Sequence, residues 1–170
     1  AADDKPLIAD PIVEKAIRER IKKPKGELTK ADLEKVRRLS LFNTQITDAG
    51  LKEVAKLQKL GNLGLARTKI TDAGLKEVAK MQQLKTLGLW NTKITDAGLK
   101  ELPKLPQLEH LYLEATQITD AGLKEVAKMK QLEWLFLGDT KITDAGLKEV
   151  SKLQKLKVLS LSFCPKITNA

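Results

Sequence analysis

Residues Leu60 to Gln83 read LGNLGLARTKITDAGLKEVAKMQQ, and the chain repeats this 24-residue phrase with small changes. The string Ile-Thr-Asp-Ala-Gly-Leu-Lys-Glu begins at Ile46, Ile70, Ile94, Ile118 and Ile142, each a step of 24. A sixth start, Ile167-Thr168-Asn169-Ala170, follows after 25. Ahead of each start runs a Leu-x-x-Leu-x-Leu segment: Leu60/Leu63/Leu65, Leu84/Leu87/Leu89, Leu108/Leu111/Leu113, Leu132/Leu135/Leu137 and Leu156/Leu159/Leu161, with Val36/Leu39/Leu41 opening the series. A fixed period with this leucine spacing predicts one supersecondary unit per period. A single unit cannot bury its apolar side alone, so units must stack into one continuous core.

Each position has a physical task. Leu63 and Leu65 alternate with Asn62, Gly64 and Ala66, so a short strand turns its leucines inward and the other set outward. Thr44, Thr68, Thr92, Thr116 and Thr140 follow the strands, where a hydroxyl can satisfy backbone groups at the bend. Thr47 and Asp48 suit a helix start, as N-cap and as negative charge at the positive end of the dipole. Leu51, Val54, Ala55 and Leu57 continue at helical spacing, while Lys52, Glu53 and Lys56 fall on the wet side. The expectation is a right-handed α/β solenoid, a horseshoe with about six parallel strands on its concave side and helices on its convex side.

From about Leu33 onward the sequence resembles the leucine-rich repeat superfamily. The Ile-Thr-Asp-x-Gly-Leu phrase is similar to the cysteine-containing subclass and related bacterial repeats. Only the last repeat keeps a cysteine form, Cys164-Pro165-Lys166-Ile167-Thr168; the other five carry Thr there and are one residue shorter. Residues 1–35 read differently, as an N-terminal helical cap to an array spanning 36–170. Asp10-Pro11 opens a helix, Ile12, Val13, Ala16, Ile17 and Ile21 make an apolar stripe, and Lys23-Pro24-Lys25-Gly26 breaks it. Thr29-x-x-Asp32 reads as a capping-box-like start, with Asp for the usual Glu or Gln. This cap resembles those of internalin-type bacterial repeat proteins. In the fourth repeat Leu102-Pro103-Lys104-Leu105-Pro106 interrupts the pattern, and Pro103 should cut its helix short.

Composition narrows the function. The 31 basic and 22 acidic residues give a net charge of +9, and five of the basic residues are Arg. Glu53, Glu77, Glu101, Glu125 and Glu149 intersperse the lysine rows, and no aromatics interleave there, so a solvated helix face is expected in place of a nucleic-acid groove. No apolar run reaches the roughly 18 residues of a membrane span. Ala1-Ala2-Asp3-Asp4 is compatible with the mature end of an exported protein. The single Cys164 forms no internal disulfide. His110, the only histidine, stands about 13 Å along its strand from Glu114, too far for an acid–base dyad. No nucleophile elbow or phosphate loop is present. The row Asp48, Asp72, Asp96, Asp120 and Asp144 is explained by helix starts in preference to metal ligation. Neither catalysis nor a cofactor nor a metal is expected.

The aromatic residues carry the functional signal. Phe42, Trp90, Tyr112, Trp134, Phe136 and Phe163 all lie in or beside strands, at positions the repeat does not reserve for Leu. Adjacent strands are about 4.8 Å apart, so Tyr112 and Phe136, His110 and Trp134, and Trp90 and Glu114 should share neighbouring columns of one patch. Trp and Tyr anchor interfaces. The expectation is a non-catalytic protein- or peptide-binding module. Trp90, Tyr112, Trp134 and Phe136 are its apolar anchors, His110 and Glu114 its polar partners, and Arg67 and Asp139 its rim charges. Carbohydrate or cell-wall glycan binding is the alternative, since flat rings stack on sugar faces. A third reading is a regular, even consensus-designed, scaffold without a natural ligand. The last strand, around Leu159 and Leu161, is expected to have an exposed edge that supports self-association.

Overall fold

The computed structural model describes residues 5–168. The Ala1–Asp4 segment expected as a mature end and the Asn169-Ala170 part of the sixth repeat start lie outside the described residues. Helix α1 runs Pro11–Ile21 and α2 Lys30–Glu34. Asp10 Oδ1 accepts from the backbone N–H groups of Ile12 and Val13 at 2.9 and 3.0 Å, satisfying two donors that a helix start leaves free. Val13 and Ile17 of the apolar stripe are fully buried. Thr29 and Asp32 form a complete capping box despite the shorter acid. Asp32 is buried, and Lys23 and Lys35 pair with it at 2.6 and 3.0 Å. The Lys23 ammonium above all, then the Thr29 backbone N–H and Lys35, hold its carboxyl well below the usual carboxylate range.

Six three-residue strands follow: β1 Arg38–Ser40, β2 Asn62–Gly64, β3 Thr86–Gly88, β4 His110–Tyr112, β5 Trp134–Phe136 and β6 Val158–Ser160. They pair in parallel in chain order, with Leu39, Leu63, Leu87, Leu111, Leu135 and Leu159 in register. Helices α3 Asp48–Val54, α4 Asp72–Val78, α5 Asp96–Leu99, α6 Asp120–Val126 and α7 Asp144–Val150 connect them. The result is a leucine-rich repeat solenoid. One apolar core runs from Ile8 to Leu153 between strands and helices.

The helices are shorter than the apolar spacing alone suggests. α3 ends at Val54, yet Leu57 is 1% exposed in the turn beyond it. In the fourth repeat α5 spans only four residues, and Leu102–Lys104 forms a 3₁₀ turn around Pro103. The proline supplies no N–H to continue an α-helical ladder. Leu102 and Leu105 nonetheless remain fully buried, so the irregularity stays on the outside.

The Asp of each repeat does more than start a helix. Asp48, Asp72, Asp96 and Asp120 each accept two hydrogen bonds from a threonine of the following repeat. The backbone N–H of Thr71, Thr95, Thr119 and Thr143 meets Oδ1 at 2.7–2.8 Å, and the same residue's hydroxyl meets Oδ2 at 2.6 Å. Asp144 holds Thr168 in the same way, which also lowers its carboxyl below the ordinary range. The glycine two residues after each Asp makes room for this clamp. A Cβ on Gly122 would come closer than 3.0 Å to both the Asp96 carboxylate and a Leu99 methyl. At the start of the array Asp10 takes the matching place: its Oδ2 lies 2.8 Å from where a Gly50 Cβ would stand.

The Thr after each strand donates its hydroxyl to the leucine carbonyl three residues back, at 2.6–2.7 Å, from Thr44 to Thr140. Cys164, at the same place in the last repeat, donates instead to the Leu137 carbonyl of the repeat before. The residue after the outward strand positions adopts a left-handed backbone in every repeat: Asn43, Arg67, Asn91, Ala115, Asp139 and Phe163 have φ of 51–59°. At β6 the core opens: Leu159 is 39% exposed, against at most 4% for Leu39 and its other equivalents.

Candidate functional site

The leucines of each strand point into the core, so the intervening residues line the open face of the sheet in columns. One column runs Arg38, Asn62, Thr86, His110, Trp134, Val158, and a second runs Ser40, Gly64, Gly88, Tyr112, Phe136, Ser160. A third, just past the strands, contains Phe42, Ala66, Trp90, Glu114, Gly138 and Ser162. In the first two columns small side chains occupy the β2 and β3 ends and rings the β4 and β5 ends, whereas in the third Phe42 and Trp90 flank Ala66.

The rings pair across strands. Tyr112 and Phe136 stack with centroids 4.7 Å apart and planes 17° from parallel. His110 and Trp134 lie beside them at 4.5 Å. His110 Nδ1 also lies 3.2 Å from the Thr86 hydroxyl on the adjacent strand. Trp134 keeps 37% of its surface exposed, although an exposed ring of this size gains nothing from water. Burial raises the Tyr112 phenol above its ordinary value, and the nearby Glu114 charge adds to this.

Trp90 belongs to a third pair. Its ring packs against Phe42 at 5.6 Å, two strands away, and the two close over Ala66, which is 4% exposed. The guanidinium of Arg67 stands 6.0 Å from the Phe42 ring centre. Phe42 is therefore a member of this face that the sequence reading left out of the expected site; its signal was its place in the same column as Trp90. Phe163, 89% exposed beyond β6, belongs to none of the three pairs. Arg67 and Asp139 are both exposed, each on a left-handed turn next to the third column.

Glu114 is half-buried on the aromatic side of the face. Its Oε2 is inaccessible to solvent and has no hydrogen-bond partner among the described residues. The side chain leans over Gly138, where a Cβ would lie 3.6 Å from the Glu114 Cγ. Burial pushes its carboxyl above the usual value, partly countered by its own backbone N–H. The flanking acids differ: Glu109 pairs with Lys85 at 3.5 Å and Glu133 with Lys157 at 2.9 Å.

Beside the rings lies a shallow trough of about 320 Å³, lined by Arg20, Arg38, Ser40, Asn62, Gly64, Thr86 and Gly88. Tyr112 follows Gly88 in the same column, so the trough ends against the aromatic side of the face. Among the described residues no group of three or more His, Cys, Asp and Glu comes together. The aspartates of the repeat row are engaged by threonines instead. Among the same described residues no helix is long and apolar enough to cross a membrane.

The leucine-rich repeat region family matches residues 27–170. The chain belongs to the leucine-rich repeat family. Among curated proteins no sequence relative matches. Among solved structures, this repeat chain is similar to an internalin (inlF) from Listeria monocytogenes, with a TM-score of 0.71 at 22% identity. That match covers 99% of this chain and 55% of the internalin, so the chain spans about half the length of that relative. Internalin C2 from the same organism matches at 18% identity and a TM-score of 0.47, covering 95% of this chain and 99% of its own. The first likeness supports the leucine-rich repeat fold assigned from the strand ladder; at this identity it speaks to the fold alone.

Proposed function

We propose that this leucine-rich repeat protein is a non-catalytic module that binds a protein or peptide on the concave, aromatic face of its sheet. The observation that carries the reading is the stacked Tyr112–Phe136 and His110–Trp134 pairs, placed side by side on a face where Trp134 stays more than one-third exposed. Aromatic surface left wet is costly, and covering it by a partner recovers that cost. Trp and Tyr are the residues that dominate such interfaces. Trp90 and Phe42 extend the apolar surface, and Arg67 and Asp139 serve as charged rim. The glycine trough next to Tyr112 gives a partner backbone a place to lie. Residues 1–35 act as the cap that covers the first end of the core, with Ile8, Val13 and Ile17 as its buried side.

The test is selection from a displayed random-peptide library, with a glycan array in parallel. Peptides whose binding is lost in Trp134→Ala and Tyr112→Ala support the reading. Binding of oligosaccharides alone, through the same rings, would favour the carbohydrate alternative. The edge strand β6 supports one further proposal, self-association through Val158–Ser160 by strand pairing. Sedimentation over a wide concentration range tests it: a monomer throughout contradicts it.

A further inference from the structure

The geometry points to Glu114 as the receptor for a single cationic side chain, a lysine or arginine of the bound partner. This rests on the concave-face reading and names the chemistry that the face selects. The acids of the convex side each have a cation: Glu53, Glu77, Glu101, Glu125 and Glu149 pair with the lysine three residues on. On the flank of the sheet Glu109 and Glu133 have theirs in Lys85 and Lys157. Glu114, in a chain with 31 basic residues, has none among the described residues, and one of its oxygens is shut away from water without a donor. A buried acceptor without a donor is costly, and a charged one more so. The deficit is removed when the Glu114 side chain turns to meet a donor that a partner supplies.

The surroundings favour a cation over a neutral donor. Tyr112 precedes Glu114 by two residues on the same face, Trp90 stands beside it on the preceding strand's side, and Phe136 is diagonal to it. Ring faces attract ammonium and guanidinium groups. The aliphatic stem of Lys or Arg can lie on such rings while its charged head reaches the carboxylate. Gly138, on the other side, places no side chain beside the Glu114 Cγ, 3.6 Å from where its Cβ would stand, which leaves the Glu114 side chain room to turn. The net positive charge of the chain keeps strongly basic molecules away as a whole, so the receptor suits one cation set in an otherwise neutral or acidic segment.

Nuclear magnetic resonance titration of the intact chain tests this with the N-acetyl methylamides of lysine, arginine and norleucine. The lysine and arginine probes are expected to move the Glu114 carboxyl carbon and the Trp90 indole resonance. They should bind about tenfold tighter than norleucine, the scale of one hydrogen bond to a charged group. Glu114→Gln, nearly isosteric, should erase that preference while leaving the rest of the spectrum in place. Norleucine binding as tightly as lysine, an unchanged preference in Glu114→Gln, or no response of Glu114 to either cation overturns the inference. Library peptides that depend on Trp134 yet carry no conserved basic residue would overturn it too, and would leave the concave-face reading standing. Loss of both the cation response and any Trp134-dependent peptide would remove both.

Discussion

Asp72 grips Thr95 of the next repeat twice: Oδ1 accepts its backbone N–H at 2.8 Å and Oδ2 its hydroxyl at 2.6 Å. The same clamp recurs down the array, so neighbouring repeats are fastened by carboxylate hydrogen bonds as well as by the shared leucine core. In a stacked architecture the interfaces between repeats carry much of the stability. The recurring phrase Thr-Asp-Ala-Gly is thus one device made of three parts: the acceptor, the donor it meets one repeat later, and the glycine that lets the two approach.

Breaking one clamp in the middle of the array should be felt strongly. Asp96→Ala removes the acceptor of both Thr119 bonds. A loss of about 1.5–3 kcal/mol is expected, the range for hydrogen bonds to charged groups. Urea unfolding measures it.

The glycine gives an independent check on the same device. Gly122→Ala forces a methyl against Asp96 and Leu99 and should destabilise by about 1–3 kcal/mol. Gly61→Ala, whose nearest atoms would be 3.7 Å away, should be close to neutral. Equal melting temperatures for the two variants would contradict the clamp.

Two carboxylates should give opposite pH signatures. Asp32 has a lowered folded-state pKa, so its stabilisation is present above the ordinary value of 3.8 and is lost as pH falls below it. Asp32→Asn should therefore lower the melting temperature at neutral pH, with the difference from wild type closing in acid. Glu114 has a raised pKa, so its charge opposes folding above the ordinary value of 4.5, and acidification through the raised value relieves this. Glu114→Gln should raise stability at neutral pH by less than about 1 kcal/mol, because half-solvated charges are screened. The gain should vanish toward pH 4.5. Melting curves across pH for the three proteins read both signs.

The sequence period made the strand ladder, its register and the inward leucines legible, because a repeat of 24 places equivalent residues side by side. It also showed that His110 shares a column with Trp134, and Tyr112 with Phe136. It did not show the Asp–Thr clamp: the partners are 23 residues apart, and Asp48 already had a sufficient local explanation at a helix start. The single aromatic patch expected from the columns resolves into three pairs in two groups: Tyr112–Phe136 with His110–Trp134, and Phe42–Trp90. Ala66 is too small to separate Phe42 from Trp90, so those rings meet across an intervening strand. Nor does spacing reveal that Glu114 has no cation among the described residues, since that depends on where long lysine side chains come to rest.

The proposed function gives the rings of the open face to binding and the leucines behind them to the fold. Leu111 is fully buried, and Leu111→Ala should cost about 2–5 kcal/mol through the cavity it leaves. Trp90 and Trp134 point away from that core, so changing both to Ala should cost no more than about 1 kcal/mol in lost cross-strand contacts. The decisive measurement is the thermal melt of each variant beside its affinity for a peptide selected on the wild-type protein. The double tryptophan variant is expected to melt close to wild type and to lose binding. A double variant that melts as early as Leu111→Ala, or that binds the peptide as wild type does, contradicts it.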